Sequence, residues 1–140
     1  MSQENVEMVR HAFEAFNKGD YSVFLKLYDQ DIVLCVPPGV IESGVFHGAE
    51  EVERYYRRWF GPFGDTARLE IEELIEVGDS VIAIHRERAR GRLSGAEVDR
   101  LSYSIHTLRG GKIIRIDHPA SREAALEAVG LSEQDARADS

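Results

Sequence analysis

His85 and Glu87 stand two residues apart in the run Val81-Ile82-Ala83-Ile84-His85-Arg86-Glu87, whose alternation is that of an extended strand. On a strand, residues i and i+2 share a face about 6 to 7 Å apart, close enough for an imidazole and a carboxylate to exchange a proton directly or through one water. The carboxylate favours the charged imidazole and fixes its tautomer, so the pair is a candidate general base or acid near neutral pH. Val81 and Ala83 precede it on the same face, while Ile84, Arg86, Arg88 and Arg90 fall on the other. The arginine stripe is therefore assigned to the outer face and His85 with Glu87 to the covered one. Burying both without a purpose costs several kcal/mol.

The elements that must position this pair lie between Leu69 and His118. Gly78-Asp79, Ser94-Gly95 and Gly110-Gly111 tolerate the positive φ of two-residue hairpin turns, which gives a four-stranded antiparallel meander. With Ser94 and Gly95 as the turn, Arg92 opposes Glu97 and Arg90 opposes Asp99 on the outer face. The same register sets Glu87 against Ser102, His85 against Ser104 and Ala83 against His106 on the inner face. The apolar phase slips between Ile71 and Leu74, so a bulge at Glu72-Glu73 is expected, keeping Leu69, Ile71 and Leu74 inward and setting Glu70 across from Arg86.

In the last hairpin a strict turn at Gly110-Gly111 sends Ile113, Arg115 and Asp117 inward, whereas one bulged residue there sends Ile114, Ile116 and His118 inward. The second hides two isoleucines and leaves Arg115 in solvent, and is preferred. His85, His106 and His118 then converge with Glu87, Ser102 and Ser104. His85 is the candidate base or acid, Glu87 its orienter and His118 the second proton carrier, with Ser104 and His106 positioning a substrate. No compact ligand spacing such as His-x-x-x-His occurs, and neither a metal nor another cofactor is expected.

Earlier in the chain, Val6, Val9, Phe13 and Phe16 share one face of a helix over residues 2–18, and Val23, Phe24, Leu27 and Tyr28 one side of a second, shorter helix. A strand over Ile32 to Val36, a loop over 37–44 and the extended Val45-Phe46-His47 lead to a third helix bearing Val52, Tyr56, Trp59 and Phe60, which Gly61-Pro62 closes. By default Tyr28, Tyr56, Trp59 and Phe60 are core; at the mouth of a pocket they would stack on a flat or cyclic ligand. A last helix starts at Ser121 and stops at Gly130.

The order of Asn17-Lys18-Gly19-Asp20, Leu27-Tyr28-Asp29, the Pro-Gly loop at 37–39, Phe46-His47-Gly48 and Gly110-Gly111-Lys112-Ile113 resembles the SnoaL-like branch of the nuclear transport factor 2-like superfamily, related to polyketide cyclases and ketosteroid isomerases. The resemblance covers residues 4 to 130. It implies an α+β fold, a cone-shaped α+β barrel in which a curved, mostly antiparallel sheet wraps over three N-terminal helices, with a short C-terminal helix, a deep pocket and often a homodimer through the outer sheet face. Laid on the ketosteroid isomerase pattern, Ala12, Val36 and Ser104 stand where a tyrosine and two aspartates belong, which sets that exact reaction aside. Where the limonene epoxide hydrolase pattern has arginine and aspartates, this chain has His85, Glu87 and either Asp117 or His118.

The 140 residues make one domain, 1–140, large enough to bury a core without disulfides. Cys35, the only cysteine, reads as a small core residue. A net charge of −8 without a basic block argues against nucleic acid, and no apolar run reaches membrane length. The expectation is a cytoplasmic protein that takes a small cyclic polyketide- or steroid-like metabolite, as a cofactor-independent enzyme or as a non-catalytic ligand-binding dimer.

Overall fold

Helix α1 (Ser2–Asn17) forms where the apolar residues recur at three-and-four spacing, and it buries that stripe: Val9, Ala12, Phe13, Ala15 and Phe16 are all inside. In this computed structural model residues 2–20, 22–36, 44–91 and 95–131 are described. Helix α2 (Ser22–Leu27) leads directly into β1 (Tyr28–Val36), then come β2 (Gly44–His47), α3 (Ala49–Phe60) and a 3-10 turn (Gly61–Thr66). The meander β3 (Arg68–Val77), β4 (Ser80–Arg90), β5 (Glu97–Arg109) and β6 (Lys112–Asp117) follows, and α4 (Arg122–Ala128) ends the described fold.

The six strands form one open sheet in the order β2-β1-β6-β5-β4-β3, antiparallel except where β1 runs parallel to β6. Helices α1 and α3 cover its concave face, with Ile32, Leu34, Val52, Val81, Ala83, Ile113 and Ile116 in the core between them. On the convex side Ile82, Ile84 and Ile105 pack against Ala125 and Leu126 of α4. Ser121 caps that helix, its side chain accepting from the Ala124 N–H at 3.0 Å. Among the described residues no helix is long and apolar enough to cross a membrane.

Asn17 ties the end of α1 to the sheet. Its side-chain oxygen accepts from the Leu69 N–H at 2.8 Å and its amide nitrogen donates to the Leu69 carbonyl at 2.9 Å, as a paired strand residue would. Asn17→Ala strands both backbone groups and is expected to cost about 1–3 kcal/mol in urea denaturation. A loss below about 0.5 kcal/mol would mean that solvent replaces both contacts.

The β3 bulge lies where the apolar phase slips, between Ile71 and Glu73, and Glu70 opposes Arg86. Elsewhere the register differs from expectation. In the β4–β5 hairpin Arg90 opposes Glu97, Arg88 opposes Asp99, His85 opposes Ser102 and Ala83 opposes Ser104, a two-residue displacement from the pairing read off the sequence. The displaced register still sets arginine against acid on the outer face, so charge pairing could not tell the two apart. A shift of two leaves every side chain on its face. Gly91 N–H bonds the Ala96 carbonyl at 2.8 Å, so the ladder ends in a longer loop than Ser94-Gly95 alone; Arg92 and Ser94 lie outside the described residues.

The last hairpin combines both alternatives. Arg109 opposes Lys112 across a strict two-residue turn, with Gly110 and Gly111 at φ 58° and 77°, and the register shifts only after Leu108↔Ile113. Ile113 is therefore buried in place of Ile114, and Ile116 is buried beyond the irregularity. Three further corrections follow from packing. Tyr28 begins β1 and does not end α2, and Gly61-Pro62 continues as the 3-10 turn. Cys35 lies on the outward face of β1, with Arg115 Nη2 donating to its sulfur at 3.2 Å, because the core side is taken by Leu34 and Val36. The loop over 37–43 lies outside the described residues.

Candidate functional site

A cavity of about 410 Å³ opens between the concave face of the sheet and helices α1 and α3, within the roughly 300–1,000 Å³ range of small-molecule sites. Phe13 and Phe16 of α1 and Tyr55, Tyr56, Trp59 and Phe60 of α3 give it an aromatic wall, and Tyr28 and Val36 of β1 close one side. Strand alternation supplies the polar side: His85 and Glu87 from β4, and Arg100, Ser102, Ser104 and His106 from β5, with His118 just beyond β6. Exposed Arg100 and Leu101 stand at the mouth, while Phe13, Ser104 and His106 are buried. The two phenylalanines of α1, Tyr55 and Arg100 are among the lining residues that sequence reasoning did not assign to the site. Arg100 was legible by parity, since it shares its face of β5 with Ser102, Ser104 and His106.

Glu87 occupies the centre of the polar side. Arg100 Nε donates to its Oε2 at 2.9 Å, while Oε1 faces His85 Nε2 at 3.9 Å, a gap that a substrate proton or a water can bridge. In the displaced register Glu87 directly opposes Arg100. Tyr56 hydroxyl lies 3.4 Å from His118 Nε2, and Ser104 Oγ lies 2.9 Å from His106 Nε2. The Phe13 ring stands edge-on to both buried imidazoles, its centroid 4.9 Å from that of His85 and 5.9 Å from that of His106.

Burial decides the charge of these rings. Desolvation pulls His85 down to about 4, against the opposing pull of Glu87, and His118 and Arg100 add to the lowering. His106 is pulled to about 3 by burial and by its two histidine neighbours. His118 is lowered too, chiefly by burial, with Glu87 working against it. At His85 burial outweighs the pull of the carboxylate beside it, which favours the neutral ring at pH 7. Burial likewise raises Tyr56 well above its usual range, with Tyr28, Tyr55 and Glu87 adding to the rise, so it remains a phenol and a hydrogen-bond donor. Among the described residues no group of three or more His, Cys, Asp and Glu side chains is placed to hold a metal ion.

Among curated proteins, Rv0034 of Mycobacterium tuberculosis (strain ATCC 25618 / H37Rv), an uncharacterized protein, is 27% identical over 125 residues, covering 89% of this chain and 94% of the relative. The solved structure of Bal32a, from a soil-derived mobile gene cassette, superposes with a TM-score of 0.76 at 25% identity over 84% of this chain and 88% of that one. A putative SnoaL-like polyketide cyclase from Jannaschia sp. CCS1 superposes with a TM-score of 0.75 at 20% identity over 91% and 92%, a likeness of fold. The fold is one shared with nuclear transport factor 2-like proteins. The family model of the SnoaL-like domain matches residues 9–116, from the buried stripe of α1 to the strand that leads into His118, and the chain belongs to that family.

Proposed function

We propose that the protein takes a small, largely apolar, ring-bearing metabolite into this cavity and moves a proton on it with side chains alone, in an isomerisation, cyclisation, dehydration or water addition. The observation that carries the reading is the carboxylate at the polar wall of an aromatic cavity: Glu87, 13% exposed, is oriented by Arg100 and faces the gap at His85. In this reading Glu87 takes the proton, because Arg100 holds its Oε2 and leaves Oε1 facing the gap. His118 and Tyr56, in contact at 3.4 Å, stabilise and reprotonate the oxygen where charge develops. One fold neighbour bears the name of a putative SnoaL-like polyketide cyclase, and polyketides are a class of compound that suits the aromatic wall.

A second reading, a non-catalytic binder, is favoured by one observation: His85 and His106 are buried with the Phe13 ring edge-on to both, a setting that suits hydrogen bonding without proton transfer. Hydrogen–deuterium exchange at the acidic α-carbon of 2-tetralone, followed by NMR, separates the two. An enzyme accelerates exchange over buffer, and Glu87→Gln is expected to lower that acceleration by about 100-fold or more with the ketone still bound. Binding without acceleration in the wild type leaves the binder. Trp59, the only tryptophan, lines the cavity and reports occupancy by fluorescence.

A further inference from the structure

Among the described residues Arg100 is the one arginine or lysine that lines the cavity. Arg86, Arg88, Arg90 and Arg115 stand on the outer face of the sheet, each paired with an acid there. Arg115 grips Asp117 with two nitrogens, Nε at 2.9 Å and Nη2 at 3.1 Å. Arg100 is held differently. It donates to Glu87 through Nε alone, and among the described residues its Nη1 and Nη2 make no hydrogen bond. The two side chains face each other across β4 and β5, Arg100 53% exposed and Glu87 13% exposed. The pair carries no net charge, so its order decides what it can receive: a ligand at the mouth meets the guanidinium, and the carboxylate lies behind it.

Resting on the proposal that the cavity holds a ring-bearing ligand, we infer that this ligand is an acid, whose rings enter first and whose carboxylate stays at the mouth on Nη1 and Nη2 of Arg100. The planar guanidinium presents its N–H groups in the spacing of a carboxylate's two oxygens. Glu87 already holds Nε, which fixes the plane of the fork before the ligand arrives and lowers the ordering cost of binding. An ammonium at the mouth meets a cation instead, and a neutral tail forgoes the charge-assisted bonds. The rings lie along Phe16 and Trp59. The carboxylate is a separate group from the ligand oxygen assigned to Tyr56 and His118, so the two placements hold together. Arg100 thereby sets the specificity of the site for acids.

The test compares 2-naphthylacetate, 2-naphthylacetamide and 2-(2-naphthyl)ethylammonium, one two-ring body with an anionic, a neutral and a cationic tail, by NMR shift titration of the whole chain at pH 7. The wild type is expected to hold the acid about tenfold more tightly than the amide, and the ammonium most weakly. Arg100→Gln is expected to bring the acid down to the level of the amide and to leave the amide within about twofold, while Arg100→Lys keeps part of the preference. Arg100 also neutralises Glu87, so the comparison is repeated in a Glu87→Gln background, where Arg100→Gln is expected to cost the acid about tenfold again; thermal melts confirm that each variant folds. A wild type that holds acid and amide alike or the ammonium most tightly overturns the inference while the cavity stands. So does an Arg100→Gln loss that is equal for acid and amide, or one that vanishes in the Glu87→Gln background. If none of the three probes binds the wild type, the reading of a ligand cavity falls, and this inference with it.

Discussion

Lowering the pH from 6.5 to 5 is expected to remove on the order of 2 kcal/mol of stability for each of His85 and His106. In the unfolded chain an imidazole titrates near 6.5, whereas burial holds these two at about 4 and about 3 in the fold. Between those values the unfolded chain binds the extra protons. Stability is therefore full above about pH 6.5 and is lost as the pH falls toward the folded-state values. Against a typical total of about 5–15 kcal/mol this is a large share. The window also separates the imidazoles from ordinary carboxylates, which titrate near 4. Urea midpoints at pH 7, 6 and 5 measure the effect, and a His85→Gln, His106→Gln double variant is expected to flatten the dependence. A wild-type midpoint that stays level from pH 7 to 5 would show that the rings are charged or hydrated within the fold.

Phe13→Ala is expected to cost about 3 kcal/mol at pH 7, the lower end for truncating a buried phenylalanine, because the side chain already borders a cavity. Its second effect is the more informative one. The ring is the apolar neighbour that His85 and His106 share, with centroids 4.9 Å and 5.9 Å away. Removing it admits water to both rings, which raises them toward 6.5 and weakens the acid dependence just described. The destabilisation measured at pH 5 should then be clearly smaller than that at pH 7, a non-additivity between substitution and pH. An equal loss at both values would transfer the cause from burial to repulsion among His85, His106 and His118 and to Arg100.

Alternation and helical spacing are local properties of the chain, and what depends on them was legible. The inward face of β4 follows from Val81, Ala83, His85 and Glu87 in sequence, and the β3 bulge from the phase slip between Ile71 and Leu74. At Gly110-Gly111 the strict two-residue turn forms in place of the preferred bulged one, whereas at Gly78-Asp79 turn chemistry was legible. Register was not, because two pairings of β4 with β5 satisfy the same charge pattern and only loop length separates them. Hence Arg100, opposite Glu87, was overlooked although its parity was plain. The placement of Ile113 and Ile116 inside with Ile114 between them required a register shift past the turn, which the parallel pairing with β1 accompanies.

By itself the sequence determined the layer order, the faces of the meander and the residue types that meet on its concave side, since these follow from periodicity and turn-forming residues. Only the tertiary structure decided the charge of those residues. Whether a carboxylate nearby or the loss of water governs an imidazole depends on how many atoms surround it, and that number is set by α1 laying Phe13 across His85 and His106. The contest between Glu87 and desolvation is settled by packing between segments far apart in the chain.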